Sequence, residues 1–151
     1  LKRVQRSALL PFPGSHLFDL VNDIERYPEF LPWCAKAEVV SREAHDLVAA
    51  LTLRKGGIEH TFTTRNTARF PEQIDMQLVD GPFERFTGSW RFTDLGKGDV
   101  VGCKIELDLQ FEFSRHLLTG MFRSLFSSAA NSLVDAFCAR ARQLYREGDR
   151  T

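Results

Sequence analysis

The side chains in this sequence best equipped for chemistry are four histidines, His16, His45, His60 and His116, and three cysteines, Cys34, Cys103 and Cys138. Their spacing argues against using them together. No H-E-x-x-H pair sets two imidazoles on one helical face, and no C-x-x-C occurs, so the pattern supplies neither a zinc site nor a disulfide framework. Serine chemistry has no better footing: there is no G-x-S-x-G elbow, and Gly88-Ser89-Trp90 falls inside a strand rather than at a strand-to-helix turn. Neither a Walker loop nor a dinucleotide fingerprint is present, and Gly96-Lys97-Gly98 has the composition of a hairpin turn. The carboxylates Glu106, Asp108 and Glu112 fall on the polar side of an alternating strand, away from any buried ligand. These patterns predict no catalytic residue, no metal, no required cofactor and no enzymatic activity.

The chemistry that remains is that of apolar surface. In Tyr27-Pro28-Glu29-Phe30-Leu31-Pro32-Trp33-Cys34 a helical pattern breaks into aromatics held between two prolines. Each proline removes a backbone donor and disfavours helix at the residue before it, which predicts short helical turns here. Four large apolar side chains then sit on an irregular segment that either caps a core or rims a pocket. Leu31 reads as the cap, and Tyr27, Phe30 and Trp33 as the rim. Downstream, His60 and Asn66 share strand parity with Phe62 and Thr64, so an inward Phe62 would bring both polar groups toward the interior unless they meet water at the strand ends. Arg65, of opposite parity, reads as exposed or paired with an acid. Asp80-Gly81-Pro82-Phe83 reads as a turn, with Phe83 either structural or closing a pocket mouth opposite Trp33.

The elements that must position these residues are legible from periodicity. Residues 103–113 alternate apolar and polar without a break, which predicts a long strand with one buried face. Residues 74–78 and 86–92 alternate in the same way, and β-branched and aromatic residues mark 39–42, 47–54 and 58–68. With 4–10 these make about seven strands of an antiparallel sheet, Gly56-Gly57 supplying one tight turn. Leu17, Phe18, Val21 and Ile24 follow helical spacing after Pro13-Gly14-Ser15, with Ser15 as the expected cap. The second helical stretch, 117–145, carries Leu118, Phe122, Leu125, Phe126, Ala129, Leu133, Phe137, Ala141 and Leu144 at steps of three or four. It would be about 42 Å long at 1.5 Å per residue. The sheet's apolar face needs a cover, and this helix is the large element available to supply it. Its middle, Ser127-Ser128-Ala129-Ala130-Asn131-Ser132, is small or polar, and either makes room for a ligand or lets the helix dock closely. The fold class predicted is α+β: a curved sheet around a long C-terminal helix, with two short helices after the first strand, in one domain over 1–151.

Twenty basic and twenty acidic residues cancel, so no global field recruits DNA or an anionic bilayer, and such a partner would be met through a local patch. Arg142, Arg146 and Arg150 are the helix-end candidates for one, against the default of a solvated helix end. Pro11 and Pro13 cut the apolar stretch after Lys2, Arg3 and Arg6 too short for a signal-peptide core, and no stretch approaches the roughly 20 apolar residues of a membrane span. The expected setting is cytoplasmic or peripheral to the inner membrane face, or an organelle matrix in a eukaryote; since the chain opens on Leu1, a removed leader would be out of view.

Several segments in order, Tyr27 to Cys34, Phe62-Thr63-Thr64-Arg65-Asn66, Leu78-Val79-Asp80-Gly81-Pro82-Phe83, Trp90-Arg91-Phe92, Leu109-Gln110-Phe111-Glu112-Phe113-Ser114 and Ala136-Phe137-Cys138-Ala139-Arg140-Ala141, resemble the START-like (polyketide cyclase/dehydrase-type) superfamily. The branch is the one that unites coenzyme Q-binding proteins with ribosome-association toxins. The resemblance implies a helix-grip fold with a hydrophobic cavity between sheet and helix. The walls expected for it are Tyr27, Phe30, Trp33, Phe62, Met76, Phe86, Trp90, Phe92, Phe122, Phe126 and Ala130, with His60, Asn66 and Asn131 as polar contacts. Pro32-Trp33-Cys34 is closer to the quinone-binding relatives, so the first functional expectation is non-enzymatic binding of ubiquinone or a related lipid in support of respiration, with transient membrane contact. The second is a protein that binds the large ribosomal subunit and hinders subunit joining; the third is a small cyclase or dehydratase.

Overall fold

The computed structural model describes residues 1–115 and 120–145. The order of elements is β1 (Lys2–Leu10), α1 (Gly14–Asn22), a 3-10 helix (Ile24–Glu29), then β2 (Cys34–Glu43), β3 (Asp46–Lys55), β4 (Ile58–Arg69), β5 (Gln73–Asp80), β6 (Phe83–Asp94), β7 (Cys103–Phe113) and finally α2 (Gly120–Tyr145). All seven strands form one antiparallel sheet in the order β1-β7-β6-β5-β4-β3-β2. The first strand therefore closes beside the last, and the five hairpins between β2 and β7 lay the rest out in sequence. Register shifts in β2–β3, β4–β5 and β6–β7 mark bulges, which bend strands and raise twist, and the sheet curls around α2.

The alternation in β7 is complete: Cys103, Ile105, Leu107, Leu109, Phe111 and Phe113 are all buried and the residues between them are not. β2 runs well beyond residues 39–42 because its inner face begins with small residues, Cys34, Ala35 and Ala37, that carry little hydrophobic pattern. Gly81, at φ 153°, turns the chain where an added Cβ would lie 2.6 Å from Cβ of Phe62, so β5 can pass to β6 only through a residue without a side chain.

Two local expectations are corrected. Ser15 does not cap α1; the cap comes from across the fold, where the backbone N–H of Gly14 donates to Oδ1 of Asp94 at 2.8 Å. Leu144 does not join the buried stripe of α2 but is 40% exposed, while Val134 and Cys138 are buried in its stead. The start of α2 predicted at Leu117 and Leu118, like His116, Arg146 and Arg150, lies outside the described residues.

Pro28 sits inside the 3-10 helix and the chain leaves it at Phe30, so the proline-bounded run forms short turns. Tyr27 fastens them: its hydroxyl donates to the carbonyl of Val21, and its own carbonyl accepts from Phe30 and Leu31 at 3.2 and 2.9 Å. Leu31 is fully buried and Cys34 opens β2 directly after it.

Candidate functional site

α2 is 26 residues long, about 39 Å at 1.5 Å per residue, and its inward face is not uniform. Near its start Phe122 and Phe126 enter a cluster with Phe62, Phe83, Phe86, Phe111 and Phe113; Phe126 alone meets Phe83 and Phe111 at 4.9 Å between ring centroids, edge to face. Three turns later Phe137 meets Tyr27, Phe30 and Trp90 at 5.2 to 5.4 Å, again edge to face. Between these plugs the helix presents Ala129 and Ala130, both buried. The small-residue stretch thus divides: the two alanines face the sheet, and Ser128 and Asn131 face out.

Opposite the alanines lies a cavity of about 80 Å³. Ala129, Ala130, Leu133 and Phe126 form its helical wall, Tyr27 and Trp33 its end, and Phe62, Met76, Phe86 and Trp90 much of its sheet side. Its floor follows one cross-strand row, Asn66 opposite Met76, Met76 opposite Gly88, and Gly88 opposite Leu109. The missing side chain of Gly88 is what lets Met76 and Leu109 close in, since a Cβ there would lie 2.7 and 2.6 Å from their terminal carbons. Trp33, Leu51, Met76 and Leu133 are only half-buried and mark where the cavity approaches the surface.

Among the described residues the lining is apolar apart from Thr64 and Asn66, each 7% exposed, the Tyr27 hydroxyl and the indole N–H groups of Trp33 and Trp90. The Thr64 hydroxyl donates to Oδ1 of Asn66 at 2.8 Å, and the Asn66 amide nitrogen has no hydrogen-bond partner within the described residues. Tyr27 is the one phenol in the lining; its hydroxyl is committed to Val21, and burial pushes its ionisation far above the usual range. Among the described residues no carboxylate, imidazole or amine lines the space. Asp108 lies outside this space, on the opposite face of β7, where its carboxylate accepts from Arg3 at 2.8 and 3.1 Å and is held below the ordinary carboxylate range by that bond.

Five predicted contacts lie elsewhere. Phe30 packs outside on Phe137 and under the Arg140 guanidinium, 5.1 Å from its ring centroid. Phe92 stacks beyond Trp90 and meets Phe18 of α1. Phe122 is spent in the phenylalanine plug, with His60 tilted against it at 4.6 Å, so neither reaches the cavity. Asn131 is exposed, accepting from Arg6 and donating to the Ser127 carbonyl at 2.8 Å. Phe83 is buried in the same plug and does not close a mouth. Missed walls include Ile24, Ala49, Leu51, Leu53, Leu109 and Leu133; the β3 and β7 members were readable from alternation, Ile24 and Leu133 from helical spacing.

A curved antiparallel sheet gripping one helix, with an apolar cavity between them, defines a helix-grip binding domain. The chain belongs to the family described as polyketide cyclase / dehydrase and lipid transport, whose model matches residues 10–138. It is 49% identical over 142 residues to the ribosome association toxin RatA of Pseudomonas aeruginosa, covering 94% of this chain and 96% of that one. To the mitochondrial coenzyme Q-binding protein coq10 of Schizosaccharomyces pombe it is 26% identical, over 94% and 88% of the two chains. Among solved structures it resembles a START superfamily protein from Mycobacterium smegmatis, with a TM-score of 0.76 at 20% identity, covering 94% and 98%.

Proposed function

We propose that this chain is a non-enzymatic binding protein that associates with the ribosome through its large subunit. The observation that carries the reading is the 49% identity, spread over nearly the whole of both chains, with a relative named for ribosome association. A local cluster of cations supports the reading although net charge is zero. Along the border of β1 and α2, Lys2 and Arg123 lie 5.8 and 5.5 Å from the Phe113 ring centroid, and Arg6 lies beside them on Asn131. None of these three cations forms an ion pair among the described residues, so their charge is free for phosphate. Co-sedimentation with purified bacterial ribosomal subunits tests this: pelleting with the large subunit at low salt, reversed at high salt and weakened by Arg123→Glu, is expected, and no pelleting at low salt overturns it.

A second reading, favoured by the cavity, is binding of an apolar ligand of which ubiquinone is one candidate. Size restrains it. An engineered cavity of about 150 Å³ takes benzene, and the 80 Å³ here is smaller, so a quinone ring with an isoprenoid tail would enter only if Trp33, Leu133 or the 3-10 helix moved. Mass spectrometry of organic extracts from the purified protein tests this reading; the absence of any co-purifying lipid, with no thermal shift on adding ubiquinone, contradicts it.

A further inference from the structure

The Asn66 amide stands out in the interior. It is 93% buried by its 7% exposure, sits on the floor of a largely apolar cavity, and its nitrogen has no partner among the described residues. The nitrogen is not sealed in by protein atoms: the fully buried side-chain atoms without a partner among the described residues are His16 Nδ1, Asn22 Oδ1 and Arg140 Nε, and Asn66 Nδ2 is not one of them. Thr64 adds orientation rather than satisfaction: by donating to Oδ1 at 2.8 Å it turns the amide so that the NH2 group is the end left to the cavity. The other polar atoms of the lining among the described residues are the Tyr27 hydroxyl, committed to Val21, and the Trp33 and Trp90 indole N–H groups, which only donate, so the space lacks an acceptor for an ordered water or a ligand to pair with.

From this geometry we propose that Asn66 is the specificity-determining residue of the cavity and that the cavity takes a compact apolar molecule bearing one hydrogen-bond acceptor of the carbonyl type. The inference rests on the second reading above, that the cavity holds an apolar ligand. The acceptor oxygen receives the Asn66 N–H, Thr64 is the positioning residue that holds the amide, and Ala129, Ala130, Met76 and Leu109 enclose the hydrocarbon.

A matched pair of small probes separates the donor from the hydrophobic contact: acetone and 2-methylpropene, which are smaller than benzene, have nearly the same shape and differ in the acceptor. Binding is followed by NMR titration of the Ala129, Ala130 and Met76 methyl groups in the wild-type chain, in Asn66→Leu and in Thr64→Val. Asn66→Leu is expected to lower the ketone-to-alkene affinity ratio about tenfold, equivalent to about 1.4 kcal/mol, while alkene affinity holds or rises. Thr64→Val, which keeps the shape of the wall and the amide itself, is expected to lower the ratio about threefold and serves if Asn66→Leu does not fold. Binding of both probes with an unchanged ratio in the folded variants overturns the role of Asn66 and leaves the cavity reading standing. If neither probe shifts the methyl groups of the wild-type chain, the cavity reading fails and the inference with it.

Discussion

Trp33 is half-buried where the other aromatic walls of the cavity, Tyr27, Phe62, Phe86, Trp90 and Phe126, are closed off from solvent. Truncating a fully buried Phe or Trp costs about 3–5 kcal/mol; Trp90→Ala should fall in that range and Trp33→Ala well below it, at about 1–2 kcal/mol. Denaturant midpoints of the two variants decide, and equal losses would make Trp33 a core residue rather than a gate. The cysteines give a second test at this scale. Burial pushes the Cys34 and Cys103 thiols up to about 11, and raises that of Cys138 as well. A thiol that stays protonated in the fold but ionises in the unfolded chain leaves stability unaffected below about pH 9 and erodes it as pH climbs toward 11. Stability should therefore fall between about pH 9 and pH 11, and Cys103→Ala, less stable at pH 8 for loss of packing, should show a shallower fall; parallel pH profiles would contradict the assignment. At this scale strand parity left Asn66 open between the interior and water at the strand end; the structure buries it on the face of Phe62 and Thr64, against exposed Arg65. Parity gives the face but not the position along it. Phe92 and Phe122 are inward and buried yet packed away from the cavity, and Phe30 stood on a segment with no period from which to read its direction.

One polar side chain joins the packing of Phe137 on Tyr27 and Phe30 in holding the irregular segment to the helix. Arg140 of α2 donates to Glu29 at 2.6 Å and covers the Phe30 ring, pinning the 3-10 helix over the end of the cavity. An exposed ion pair contributes about 0.2–1 kcal/mol and a surface cation–π contact about 0.5–1 kcal/mol. Arg140 Nε is buried without a partner, which offsets part of that gain. Arg140→Met, keeping length and apolar contact, should cost about 1 kcal/mol by denaturant midpoint and speed hydrogen exchange of amides in residues 27–34. Unchanged exchange there would show that the aromatic packing alone holds the segment. The 3.6-residue and two-residue periods made the elements readable, since α2 and β7 have one buried face each. The edge strand β2 and the cap on α1 were hidden for different reasons: alanines leave a weak apolar signal, and Asp94 reaches Gly14 from 80 residues away in sequence.

At the level of the whole molecule, the fold holds two places where a partner could act, a cationic border on β1 and α2 and an apolar cavity of about 80 Å³ behind the helix. They draw on different residues of the same helix, exposed Arg123 and buried Ala130, so each can be altered alone. Ala130→Leu adds three carbons to the cavity wall and should cost no more than about 3 kcal/mol, by thermal melting, while excluding cavity ligands. Arg123→Glu reverses a charge at an exposed position and leaves the cavity intact. The most direct measurement is co-sedimentation with the large ribosomal subunit, at low and high salt, of the parent chain beside these two variants. The parent and Ala130→Leu should pellet equally at low salt and be released at high salt, with Arg123→Glu largely in the supernatant throughout; a parent chain that stays in the supernatant at low salt would contradict ribosome association outright.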